Sequence, residues 1–139
     1  MSSEEKRTWI SALVGAVVPI AYLASVLSQV PSTDVATIDY AEPMLASIGV
    51  GIGVGIVLAI VTAVASRGDD GRTDERDRAI NTRGEFVGFY VMSIAAVVPL
   101  AMAMARVDQF WIAHALYLAF VLAALASSSV KLVAYRRGW

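Results

Sequence analysis

Four apolar runs, about 9–30, 44–66, 86–106 and 110–135, leave this chain few ways to fold. An apolar helix needs about 20 residues to cross a hydrocarbon core about 30 Å thick, and each run supplies that length. Backbone N–H and C=O groups cannot go unpaired in lipid, so each run is expected to be a helix rather than a strand. The expected fold is an all-α membrane protein, a single integral domain over 1–139. It is read as a four-transmembrane-helix bundle made of two antiparallel helical hairpins. A hydrophobic content of 58% agrees, standing above the roughly 45–50% of soluble domains. The opening "MSSEEKRTWI" has mixed charge, and the run behind it outlasts a signal h-region of about 7–15 residues, so the first span is expected to stay.

Charge sits in the connectors and sets the orientation. Lys6 and Arg7 precede the first span, and Arg67, Arg72, Arg76, Arg78 and Arg83 lie between the second and third. Lys131, Arg136 and Arg137 close the chain, so one side holds ten of the eleven basic residues and the other only Arg106. The positive-inside rule places both termini in the cytoplasm, in a prokaryotic cytoplasmic membrane. Trp9, Tyr90 and Tyr135 then fall near the inner interface, and Tyr40 and Trp111 near the outer one. The outer connection "VDQ" is short enough to force the last two spans into a hairpin, whereas "SQVPSTDVATIDYAEP" is long and acidic. The net charge of −1 gives no attraction to nucleic acid.

The spans carry three internal patterns. "GAVVPIA" at 15–21 is echoed by "AAVVPLA" at 95–101, which suggests a tandem duplication of one hairpin. Pro19 and Pro99 inside these echoes are expected to kink their helices by freeing a carbonyl four residues upstream. "GVGIGVG" puts Gly49 and Gly53 on one helical face and Gly51 and Gly55 nearly opposite, two overlapping GxxxG patterns. One face is expected to pack inside the bundle and the other to meet a second protomer in a homo-oligomer; the plainer reading is tight packing within one chain.

In "DERDRAINTRGE", residues 74–85, seven of twelve residues are charged. Gly68 and Gly71 are expected to end the second helix, with Thr73 as N-cap and Asp74 and Glu75 in the favourable first turn. Asp74 and Arg78 are spaced to pair. An amphipathic cytoplasmic helix start over about 73–85 would run on into the third span, with Gly84 and Gly88 allowing close contact to a neighbour. Arg76, Arg78 and Arg83, with Arg136 and Arg137, are the candidate residues for docking lipid headgroups or a protein partner. The plainer reading is a solvated helix start that enforces topology.

"DERDRAINTRGEFVGFY" and "KLVAYRRGW" together resemble a family of small prokaryotic four-span membrane proteins, domain of unknown function 2178. Asp74, Glu75, Arg76, Asp77, Ile80, Arg83 and Gly84 match its charged stretch, and Tyr135, Arg136, Arg137 and Gly138 its tail. The resemblance covers the second half of the chain and implies the four-span architecture in a bacterial or archaeal membrane. It implies no reaction.

Little in the chain suggests chemistry. With no cysteine there are no disulfides or thiolate sites, and one histidine leaves little for a metal centre; no metal or cofactor is expected. Asp69, Asp70, Asp74 and Asp77 are interleaved with arginines that oppose a cation, and Ser127, Ser128 and Ser129 lack a histidine at their level. His114 with Asp108, Glu42 or Asp39 is a weak candidate for an outward-facing proton or cation site; the plainer reading is a helix-packing histidine. The expected function is that of a non-enzymatic interaction or regulatory subunit in contact with membrane lipids and a cytoplasmic or membrane partner. The alternative is a small oligomeric transporter or permeation protein.

Overall fold

The computed structural model describes residues 3–65 and 75–137. These form α1 (Ser3–Leu27), α2 (Ala41–Ala65), α3 (Glu75–Ala95), α4 (Val97–Met104) and α5 (Gln109–Arg137). Helices α3 and α4 form one span, so four helical stretches are long and apolar enough to cross a membrane. The expected caps and pairing at Gly68, Gly71, Thr73 and Asp74 lie outside the described residues.

Helix boundaries follow polar chemistry that hydropathy does not register. α1 starts six residues before Trp9, with Glu4 and Glu5 in its first turn and the Thr8 hydroxyl donating to the Glu4 carbonyl at 2.9 Å. It stops at Leu27, where the hydroxyls of Ser25 and Ser28 and the Gln29 amide donate back to the carbonyls of Tyr22 and Ser25. The two prolines differ. α1 runs unbroken through Pro19, whereas the helical run is interrupted at Ala96, three residues before Pro99. Pro99 has no N–H for the carbonyl of Ala95, four residues upstream, which is where α3 ends.

α4 closes in a Schellman motif. Val107 N–H donates to the Met102 carbonyl at 3.0 Å and Arg106 N–H to the Ala103 carbonyl at 3.1 Å. Arg106 itself takes the left-handed conformation, φ 56°, that this position needs. The Asp108 carbonyl then accepts from Trp111 and Ile112 and starts α5.

α5 is the axis of the fold. Its contact with α3 is the closest, because Ile80, Gly84 and Gly88 recur every four residues and give α3 one buried stripe of mostly small residues. A Cβ on Gly84 would lie 2.5 Å from Lys131 Cγ, and one on Gly88 would lie 3.2 Å from the Ala123 carbonyl oxygen. The arginine helix therefore turns its glycines toward α5.

At the other end, Tyr22 and Val26 of α1 meet Phe110 and Tyr117 of α5 under Ile38 from the long connection. Val35 and Tyr40 from the same connection pack on this cluster, so the acidic loop is partly a cover for the core.

α2 departs from expectation. It packs against α1, and most of its large apolar side chains stand exposed. A Cβ placed on Gly49, Gly51, Gly53 or Gly55 would meet nothing within 4 Å. The glycine seam thus has no packing partner among the described residues, because α2 stands away from α5 instead of lying against it.

Candidate functional site

The end that gathers the start of α1, the start of α3 and the last turns of α5 holds a polar cleft of about 290 Å³. Helical spacing assembles it. Glu4, Arg7, Thr8 and Ser11 recur at three- and four-residue steps along one face of α1. Asn81 and Glu85, four apart, come from α3, and Ser128 and Lys131, three apart, from α5.

Gly84 makes the central contact possible. Without a side chain there, the aliphatic stem of Lys131 lies flat on α3 and its ammonium reaches Glu85, Nζ to Oε1 2.7 Å. The Lys131 side chain is 15% exposed while that of Glu85 is 75% exposed. The cation is thus held inside the helix junction and the carboxylate stands at its mouth. On the α1 wall, Arg7 approaches Glu4 at 3.6 Å. Two carboxylates and two cations leave the cleft formally neutral, with hydroxyl and amide groups between them. Such a lining can bind a small dipolar group by charge-assisted hydrogen bonds.

A second cavity, about 750 Å³, opens between α1, α2 and α5. It exists because α2 stands off, and its lining is apolar except for Ser11, Ser47 and Tyr117. Gly51 and Gly55 keep its α2 wall low. Ser47 and Tyr117 hydroxyls hydrogen-bond across it, and Ser11 lines both this groove and the polar cleft.

His114 is only 3% exposed and belongs to the packed core. Its Nδ1 lies 2.7 Å from the Phe110 carbonyl oxygen, which can only accept, so Nδ1 carries the proton. In the neutral ring Nε2 is then an acceptor, and the Tyr22 hydroxyl donates to it at 2.9 Å. Tyr40 and Phe110 pack their rings against the imidazole. Glu42, Asp108 and Asp39 are exposed, while His114 sits in the core bonded to Tyr22 of α1. Among the described residues no group of three or more His, Asp or Glu is placed to hold a metal ion.

The expected docking residues line neither the cleft nor the groove. Arg76, Arg78 and Arg83 are exposed on α3 and outside the cleft, and Arg137 is exposed at the end of α5. Arg136 stacks its guanidinium 5.1 Å from the Trp9 ring centroid, tying the end of α5 to α1. The cleft residues Glu4, Arg7, Glu85 and Lys131 were not singled out by the sequence pattern as a site. One signal was there, since Lys131 is an ionisable residue inside the fourth apolar run, and such residues are functional candidates. No family model, curated protein or solved structure matches the chain.

Proposed function

We propose that this is a multi-pass protein of a prokaryotic cytoplasmic membrane with both termini inside, acting as a non-enzymatic binding or regulatory subunit whose cytoplasmic end takes a lipid headgroup. The observation that carries this reading is the neutral, hydrogen-bonding cleft between α1, α3 and α5, at the end where the basic residues collect. Two antiparallel hairpins, the second a duplicate of the first, are the arrangement this reading assumes. The pairing of Gly84 with Lys131 and of Gly88 with Ser127 supports antiparallel running of α3 and α5. The likeness of 74–84 and 135–138 to the four-span family belongs to the same proposal.

Retention of phospholipid by the detergent-purified protein, read by native mass spectrometry, tests the function. Wild type should carry lipid that Arg7→Gln/Lys131→Gln loses, while Arg76→Glu/Arg83→Glu keeps it. Equal retention in all three would reject the cleft as a headgroup site. Loss in the α3 pair alone would return the site to the exposed arginine face.

A second reading, a small transporter, is favoured by the groove between α1, α2 and α5. Its lining has no charged group, so the cargo would be apolar or amphiphilic rather than an ion. Open glycine faces on α2 leave room for the homo-oligomer that reading needs.

A further inference from the structure

The cleft and the groove touch. Ser11 lines both, so a polar cavity at the basic end leads past one serine into an apolar channel within the spans. A molecule suited to that pair has a compact polar head and a long apolar chain. The groove is lined from Ser11 to Pro19 on α1 and from Ala113 to Ala124 on α5. At 1.5 Å per residue these walls are roughly 12 and 17 Å long, room for much of an extended acyl chain. On α2 and α5 the groove, at 44–55 and 113–124, lies toward the end opposite the cleft, so a chain entering past Ser11 runs away from the basic end.

The charges of the cleft choose the head. Glu4 and Glu85 balance Arg7 and Lys131, so an anionic headgroup would leave a net negative charge among partly buried groups. A zwitterion keeps the balance, its phosphate toward Lys131 and Arg7 and its cation toward Glu85 at the mouth. A primary ammonium brings three N–H donors to the carboxylates, whereas a quaternary ammonium brings none.

We infer that cleft and groove form one site for a zwitterionic aminophospholipid, its phosphoethanolamine head at the basic end among Arg7, Lys131, Glu4 and Glu85 and one acyl chain in the groove. This rests on the headgroup reading above and adds the lipid class and the path of its chain. The glycines of α2 acquire a purpose distinct from helix association: they leave the groove wide enough for a chain.

The experiment is competitive lipid binding to the full chain in detergent, comparing dioleoyl phosphatidylethanolamine, phosphatidylglycerol and phosphatidylcholine. Wild type should prefer phosphatidylethanolamine by about tenfold, the scale of one charge-assisted hydrogen bond. Gly51→Leu/Gly55→Leu fills the groove without meeting an existing atom within 4 Å of either Cβ, so folding should survive it. That variant should lose the preference while Arg76→Glu/Arg83→Glu retains it. Tighter binding of phosphatidylglycerol, or a preference untouched by the groove-filling pair, overturns the inference. In either case a loss of lipid in Arg7→Gln/Lys131→Gln would still uphold the cleft, so the two readings fail separately. As a second readout, phosphatidylethanolamine with a mid-chain diazirine should label the wild-type protein around Ile52 and Phe120. Labelling confined to the outward faces of α3 and α4 would count against a chain in the groove, as would a dimer contact that excludes lipid from Gly51 and Gly55.

Discussion

At the scale of single residues, the chain uses polar groups inside its spans as fasteners. The Tyr22–His114 bond joins residues 92 apart in sequence and fixes where α1 meets α5. Hydropathy marked His114 as unusual but offered no means of pairing it, because a tyrosine in an apolar run reads as one more aromatic. Tyr22→Phe keeps the ring against His114 and Tyr117 and removes only the donor to Nε2. It should cost about 1 kcal/mol, the typical worth of an interhelical hydrogen bond in a membrane protein. Unfolding in mixed micelles measures it, and a variant as stable as wild type would show the bond to be idle. Lys131 was equally visible and equally unpaired on paper. Its partner Glu85 becomes apparent only once Gly84 is known to lie under the lysine stem.

At the scale of elements, the number of spans, their helical nature and the close approach at Gly84 and Gly88 were all readable from composition and spacing. Their ends were not. Hydropathy places α1 at 9–30, but the helix covers Ser3–Leu27, since first-turn carboxylates favour its start and back-bonding serines mark its stop. Nor did the prolines behave alike, although their local sequences are nearly the same. The turn after α4 carries a cost that sequence reading could not find, an arginine in a conformation usually given to glycine. Arg106→Gly should therefore stabilise the protein by about 1 kcal/mol, the steric penalty of a left-handed non-glycine residue. An unchanged or lowered midpoint in the same micelle unfolding assay would contradict this.

On the scale of the whole molecule, α5 is fastened to α3 and to α1, while α2 packs against α1 and stands off from α5. Apolar periodicity could not reveal this, because a helix that is apolar all round looks the same whether it faces protein or lipid. α1 and α5 are tied at one end by His114 and Tyr22 and at the other by Arg136 over Trp9. Across the groove, the hydroxyls of Ser47 and Tyr117 join α2 to α5. That arrangement bears on speed as much as on affinity. If α2 must swing aside for the groove to fill or empty, breaking the Ser47–Tyr117 bond lies on the path in both directions. Ser47→Ala should then raise the entry and exit rates of a bound lipid together, leaving equilibrium occupancy close to that of wild type. Stopped-flow exchange of a fluorescent phosphatidylethanolamine would report it, and a slower exit would mean that the serine holds the guest rather than the helix. Residence time would thus depend on one hydroxyl as well as on how well the cleft holds the head.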